Sequence, residues 1–227
     1  MIGIIGAMIE EIEPILERLD GVKTIKAGNN DYHYGTYGGK NVALAYSRIG
    51  KVNAAITATI LIERFKAKKI LFSGVAGAIN DSLRIGDLIY ATRLVQHDVD
   101  ITAFGHPIGF IPETGDYYET SEELNDLAKS VAQAWSVKLG KGVIATGDQF
   151  IADPDKKRLI AERFKADAVE MEGASVACVC RSFGVPFFVL RAISDAADMD
   201  AGFNFDEFLR SSAKVSANFV LGMVARL

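Results

Sequence analysis

The segment "VPFFVLRAISDAAD" (residues 185–198) is apolar for most of its length, yet it carries Arg191 in its middle and Asp195 at its end. If it is a strand, alternation places Arg191 and Asp195 on one face and Ser194 on the other. An unpaired charge inside an apolar strand is costly, so Arg191 must have a partner. Asp195 is open to two readings. It could form an Asx-turn as the chain leaves the sheet, or it could be a carboxyl placed for proton transfer. Other carboxylates stand at comparable junctions. Glu10, Glu11 and Glu13 open an apolar-periodic segment, an ordinary place for acidic partners of a helix dipole. Glu170 and Glu172 straddle a strand-to-helix junction in "VEMEGASVA". Glu172 is either another dipole partner or a carboxylate kept ionised by the helix, able to accept hydrogen bonds from paired sugar hydroxyls.

Two further patterns invite chemistry and support it poorly. "VQHDVD" (95–100) offers His97, Asp98 and Asp100 as metal ligands. On a strand, however, the two aspartates would face away from the histidine, and no H-E-x-x-H spacing exists to help. Gly3 and Gly6 near the start do not make the G-x-G-x-x-G fingerprint of a dinucleotide site, and tight packing accounts for them. A nicotinamide-dependent dehydrogenase is disfavoured for the same reason.

The elements that must position these residues alternate along the chain. "IGIIGA", "NVALAYS", "KKILFSGVAGAI", "GDLIYATRLVQHD", "GKGVIATGDQF" and "VPFFVLRAIS" read as strands. Between and after them lie helical patterns: "EEIEPILERL", "NAAITATILIERF", "SEELNDLAKSVAQAW", "DPDKKRLIAERF", "EMEGASVACVCRSFG" (stopped by Gly184) and "FDEFLRSSAKVSANFVLGMVARL". Such alternation predicts a single α/β domain over residues 1–227, three-layered αβα, with a twisted, mostly parallel central sheet. A hairpin in "DYHYGTYGGKNVALAYS" makes the sheet mixed. In such sheets ligands bind outside the carboxyl ends of strands. "GAMIEE", "SGVAGA", "TGDQFI" and "SDAAD" all fall at such ends.

Bulk properties narrow the class. The 227 residues are 49% hydrophobic and 24% charged, an ordinary globular balance able to bury a core. A formal charge of −4 gives no electrostatic footprint for nucleic acid or an anionic membrane. No apolar run approaches the ~20 residues of a membrane span, and "MIGIIGAMIEE" lacks the basic start of a signal peptide. Cys178 and Cys180 build neither a disulfide framework nor a zinc site. A soluble cytoplasmic protein is expected.

In order and spacing, "SRIGKVNAA", "SGVAGA", "HDVDITAFG", "TGDQFI", "VEMEGASVA", "RAISDAAD" and "FDEF" resemble the 5′-methylthioadenosine/S-adenosylhomocysteine nucleosidases of the nucleoside phosphorylase superfamily. The resemblance covers nearly the whole chain. "LVQHDVDITAFGHPIGFIPE" and "GVIATGDQF" are more similar to the branch that also hydrolyses 6-amino-6-deoxyfutalosine in menaquinone synthesis. The resemblance implies that Asp195 is the general acid that protonates adenine N7, with Ser194 orienting it. It implies that Glu11 activates the attacking water and that Glu172 holds the ribose hydroxyls, with Met171 beside the sugar. Phe150 and Ile151 would bracket adenine, Arg191 would be a buried arginine of the site, and Met8, Ile49, Val75, Ala76 and Phe205 would line the pocket. Ile101, Phe104 and Pro112 would come from a second subunit, which implies a homodimer. Val75 stands where several relatives have Ser, removing a hydroxyl contact. Ile9 replaces an acidic residue found beside Glu11 in some relatives.

The chemistry is coherent on its own terms. Cleaving an N-glycosidic bond needs an acid at the base end and a carboxylate at the sugar end to deprotonate water. At an unperturbed pKa near ~3.9 only about one Asp195 in a thousand is protonated at pH 7, a handicap of roughly 4 kcal/mol, and burial would reduce it. No metal or organic cofactor is required. A phosphorylase on the same fold would want a cationic phosphate pocket where this chain places Glu11. A non-catalytic nucleoside-binding protein would have no reason to combine Glu11, Asp195 and Glu172.

Overall fold

A computed structural model describes residues 1–198 and 200–227. In chain order the elements are β1 (Ile2–Gly6), α1 (Ile9–Leu16), β2 (Asp20–Ala27), β3 (Asn30–Tyr37), β4 (Lys40–Tyr46), α2 (Lys51–Glu63), β5 (Lys69–Ala78) and β6 (Leu88–Gln96). After a 3-10 turn at Thr102–Phe104 follow β7 (Tyr117–Glu119), α3 (Glu122–Trp135), β8 (Leu139–Thr146), α4 (Pro154–Phe164), β9 (Ala168–Glu170), α5 (Gly173–Phe183), β10 (Phe187–Asp195) and α6 (Ala201–Val224).

The helices begin and end on local chemistry. Ser121 caps α3 by accepting from the Leu124 N–H, and Asp153 caps α4 by accepting from the Asp155 and Lys156 N–H groups, with Pro154 next in line. Gly184 ends α5 in the left-handed conformation (φ 65°). The central strands are buried on both faces, so they read as continuous apolar runs. On β1 and β5, Ile5, Ile70 and Phe72 face a core shared with α2 and α5. Ile4 and Leu71 face the opposite core, shared with α1, α3 and α6. A third, smaller core under α4 gathers Val143, Ala145, Ile160 and Phe164. Three layers result.

The topology departs in one respect from an open, mostly parallel sheet. Parallel pairings join β4, β1, β5 and β10, and also β6, β8 and β9. Antiparallel pairings between β10 and β6 and between β9 and β5 link the two sets. The strands β5, β10, β6, β8 and β9 thereby close a ring. The hairpin β3–β4, extended by β2, forms one outer edge of the sheet. Closure matters because it turns the carboxyl ends of β5, β8, β9 and β10 toward a common opening.

Candidate active site

The opening of this ring holds a cavity of about 480 Å³. The N-terminus of α1 contributes Met8 and Glu11, the turn before α2 contributes Ile49, and β5 contributes Val75 and Ala76. The loop after β8 supplies Phe150 and Ile151, the β9–α5 junction Met171 and Glu172, the end of β10 Ser194 and Asp195, and α6 Phe205. Twelve residues expected in the site from sequence therefore meet in one place.

Glu11 occupies the third position of α1, and its side chain folds back over the helix N-terminus. Oε2 accepts from the backbone N–H groups of Ala7 and Met8, and Oε1 accepts from that of Val75 at 3.0 Å. It thus fills the acidic position of a capping box and faces the cavity at the same time. Burial raises its pKa, opposed by the charge of Arg191 and by the three N–H donors. The close approach to β5 requires Gly74, where a Cβ would lie 2.9 Å from Glu11 Oε1 and 3.3 Å from Arg191 Nη1.

Asp195 does not follow strict strand alternation. The β10–β5 register slips between Ile193 and Asp195, and this bulge brings Ser194 and Asp195 to the same side. Ser194 Oγ donates to Asp195 Oδ2 at 2.8 Å, and the Ala197 N–H donates to Oδ1 at 2.9 Å. Oδ1 thus makes the Asx-type bond of the turn reading, while Oδ2 lies beside the serine. Burial raises the pKa of Asp195, against the pull of these two donors. Its neighbour Gly77 carries no side chain, and a Cβ there would fall 2.6 Å from Oδ1. Glu11 meets β5 at Val75 and Asp195 meets it at Gly77. These contacts are two residue steps apart along the strand, about 6–7 Å.

Glu172 is buried and accepts from the Gly50 N–H at 2.8 Å. Burial, then repulsion from Glu170, pushes its pKa up to about 8. Phe150 stands half exposed with its ring edge-on to Phe205, centroids 5.6 Å apart, while Ile151 is buried.

Arg191, expected to belong to the ligand site, stands behind the cavity wall instead. It is 1% exposed inside the strand ring, with its guanidinium over the Phe72 ring at 4.0 Å. The partner it requires is Glu170, at 2.6 Å from Nη2. Glu170 in turn accepts from Thr146 Oγ1 and from the N–H groups of Glu172 and Gly173, at the N-terminus of α5. Glu170 also reaches the cavity wall, as do Gln149 and Asp206. None of these three is expected in the site from sequence. For Glu170 a signal exists, since Arg191 has to be neutralised. Ile101, Phe104 and Pro112 do not line the cavity, and Phe104 is 82% exposed. In "VQHDVD", Asp98 pairs with Lys51 and Asp100 accepts from the Thr102 N–H. Among the described residues no group of three or more acidic, histidine or cysteine side chains could hold a metal ion, and no helix is long and apolar enough to cross a membrane.

Comparison with known proteins gives the same direction. The family model described as "Phosphorylase superfamily" matches residues 1–225. Aminodeoxyfutalosine nucleosidase of Campylobacter jejuni is 55% identical over 226 residues, covering 100% of this chain and 99% of that protein. The 5′-methylthioadenosine/S-adenosylhomocysteine nucleosidase of Actinobacillus succinogenes is 42% identical, with coverage of 100% and 99%. The crystal structure of the Helicobacter pylori 5′-methylthioadenosine/S-adenosylhomocysteine nucleosidase with butyl-thio-DADMe-Immucillin-A superposes with a TM-score of 0.98 at 54% identity, over 100% of this chain and 98% of that one.

Proposed function

The chain belongs to the phosphorylase superfamily and to its nucleosidases, and from that premise we propose that it hydrolyses the N-glycosidic bond of 5′-substituted adenine nucleosides. The substrates are 5′-methylthioadenosine, S-adenosylhomocysteine, 5′-deoxyadenosine and 6-amino-6-deoxyfutalosine. Adenine is released in methionine salvage and in menaquinone synthesis.

One observation carries the choice of hydrolysis over phosphorolysis. The carboxylates of Glu11, Glu170, Glu172, Asp195 and Asp206 wall the cavity, and among the described residues no Lys, Arg or His does. Arg191, behind the cavity wall, is held by Glu170. Phosphate entering this site would find no cationic side chain to hold it, whereas water would meet the Glu11 carboxyl.

Adenine lies between Phe150 and Ile151, and Asp195, its pKa raised by burial and its carboxyl oriented by Ser194, gives its proton to N7 as the bond lengthens. The departing base leaves neutral, and the sugar becomes oxocarbenium-like. Glu11, its carboxylate fixed by three backbone N–H groups, takes a proton from water as the oxygen attacks the anomeric carbon. Glu172 accepts from the ribose hydroxyls beside Met171. The 5′ substituent runs past Ile49 and Phe205 toward the open mouth. No cofactor takes part.

A second copy of the chain completes the site in this reading. Ile49, Val52 and Ile56 form an exposed apolar strip at the start of α2, and Phe104 projects from the loop after β6. A homodimer covering these residues brings Ile101, Phe104 and Pro112 of one subunit to the 5′ end of the other's cavity. A reducing, cytoplasmic setting suits the free thiols of Cys178 and Cys180.

The deciding experiment is chromatography of methylthioadenosine and aminodeoxyfutalosine incubated with the purified protein, with and without phosphate. Adenine and free sugar in both samples are expected. Adenine only in the presence of phosphate, with a sugar 1-phosphate, would mean that Glu11 does not serve as the base for water.

A further inference from the structure

Three segments distant in sequence are tied in a closed ring beside the cavity. Lys51, the first residue of α2, places its ammonium 2.6 Å from Asp98 Oδ1. Asp98 Oδ2 accepts from the Asp148 N–H at 2.9 Å. Asp148 Oδ1 returns to the start by accepting from the Lys51 N–H at 2.8 Å. The Lys51 and Asp98 side chains are largely buried, at 18% and 11% exposure. None of the three residues lines the cavity, yet each is a neighbour of something that does. Gly50, one residue before Lys51, donates to Glu172 Oε1 at 2.8 Å. Phe150 lies two residues after Asp148.

Gly50 is shaped for this role. Its φ of 99° is open only to glycine in practice, and a Cβ there would come within 3.1 Å of Asp148 Oδ1. The Gly50 N–H that meets Glu172 thus belongs to a turn whose next residue, Lys51, is tied by the ring to the segments after β6 and β8. Two of its links are charge-assisted hydrogen bonds to backbone N–H groups, and the third is a close ion pair, the geometry that resists slippage.

We infer that Lys51, Asp98 and Asp148 are positioning residues for ribose recognition: their ring holds the Gly50 N–H on Glu172, and so keeps the Glu172 carboxylate aimed at the sugar hydroxyls. This rests on the nucleosidase reading above. The segment "VQHDVD", which resembles a metal motif, serves through Asp98 as one corner of the ring.

The test compares methylthioadenosine with its 3′-deoxy analogue, in which the glycosidic bond is little changed but a hydroxyl for Glu172 is missing. For the unsubstituted protein assayed above pH 8, where the Glu172 carboxyl is ionised, loss of that hydroxyl is expected to lower kcat/KM by on the order of 10–100-fold, the span for a hydrogen bond to a charged group. In Asp98→Asn and in Asp148→Ala the complete substrate should lose about tenfold, mainly in KM, while the penalty for the missing hydroxyl shrinks to less than about threefold. Glu172→Gln should show the same reduced penalty, and combining it with Asp148→Ala should add little. A ring that merely staples loops would lower activity toward both substrates equally and leave the hydroxyl penalty unchanged, and that result overturns the inference. Asp148 is exposed, so its variant keeps the test alive if Asp98→Asn fails to fold. If the unsubstituted protein cleaves neither these nucleosides nor aminodeoxyfutalosine, the nucleosidase reading falls and the inference falls with it; if it cleaves only aminodeoxyfutalosine, the same comparison is made with that nucleoside and its 3′-deoxy analogue. Cleavage with an unchanged penalty sinks the inference alone.

Discussion

Asp195, Glu11 and Glu172 share one physical condition: each is a carboxyl taken out of water with few charges to balance it. Burial favours the protonated form in all three, and the fold then sorts them by what else each touches. Glu11 has three N–H donors and a nearby guanidinium and is suited to be the base. Asp195 has one N–H and one hydroxyl and is suited to be the acid. Replacing Asp195 by Asn keeps the shape and both hydrogen-bonding neighbours but removes the transferable proton. A fall in kcat of about a hundred- to ten-thousandfold is expected, with the melting temperature nearly unchanged. A variant turning over at the normal rate would exclude Asp195 as the acid. Glu172 makes a different prediction, about stability. Its pKa lies near the usual 4.5 in the unfolded chain and about 8 in the fold. Between those values the folded protein binds a proton that the unfolded chain has released, so the contribution is complete below 4.5 and is lost as pH rises toward 8. Glu172→Gln, neutral throughout, should therefore melt several degrees above the unsubstituted, ligand-free protein at pH 8. The gap should close toward pH 5, as thermal melts across this range would show.

The elements carry out this sorting through close backbone approaches. β5 passes beside Glu11 at Gly74 and beside Asp195 at Gly77, and no side chain fits at either place. Gly74→Ala sets a methyl group 2.9 Å from Glu11 Oε1. Because three backbone donors pin that carboxylate, it has little freedom to yield. We expect a loss of about 1–3 kcal/mol in stability and at least a tenfold drop in kcat, read from denaturant titration and initial rates. Normal activity would mean that the position of Glu11 is not critical. The β10 bulge is the second such device. It breaks the alternation that would have put Ser194 and Asp195 on opposite faces, and it occurs where the strand leaves the ring. α6 is pinned along its inner face by Ser216, bonded to Ser73 Oγ and to the Gly74 N–H, and by Ser212, bonded to the Ile193 carbonyl. That anchorage lies beyond the first turns of α6, where Phe205 meets Phe150 over the cavity.

For the molecule as a whole, the apolar strip at the start of α2 is poorly suited to water. Val52 is 69% and Ile56 53% exposed, four residues apart on one helix face. In the homodimer proposed above this strip is covered. Val52→Glu combined with Ile56→Glu should then shift the gel-filtration mass from about twice the chain's 24.5 kDa to the single-chain value. Specific activity should fall with it, because the partner's contribution to the pocket is lost. An unsubstituted protein that elutes as a fully active monomer would refute the dimer.

How much of this is legible in the residues depends on distance along the chain. Periodicity and end signals are local, and they locate α2, α3, α4 and the central strands, the stop at Gly184, and the strand exits that carry Asp195 and Glu172. β2 escapes them because its sequence, "DGVKTIKA", lies exposed for most of its length and lacks an apolar alternation. β7 is three residues long and gives no pattern at all. The sequence by itself determined that Arg191 needed a buried partner and that several carboxylates stood at strand ends. Only the tertiary structure decided that the partner is Glu170, that Ser194 turns to the side of Asp195, and that Lys51, Asp98 and Asp148 close a ring. The reason is physical: burial pattern is written residue by residue, whereas a hydrogen bond across 97 residues, such as that from Lys51 to Asp148, exists only once the strands have paired and the ring has closed.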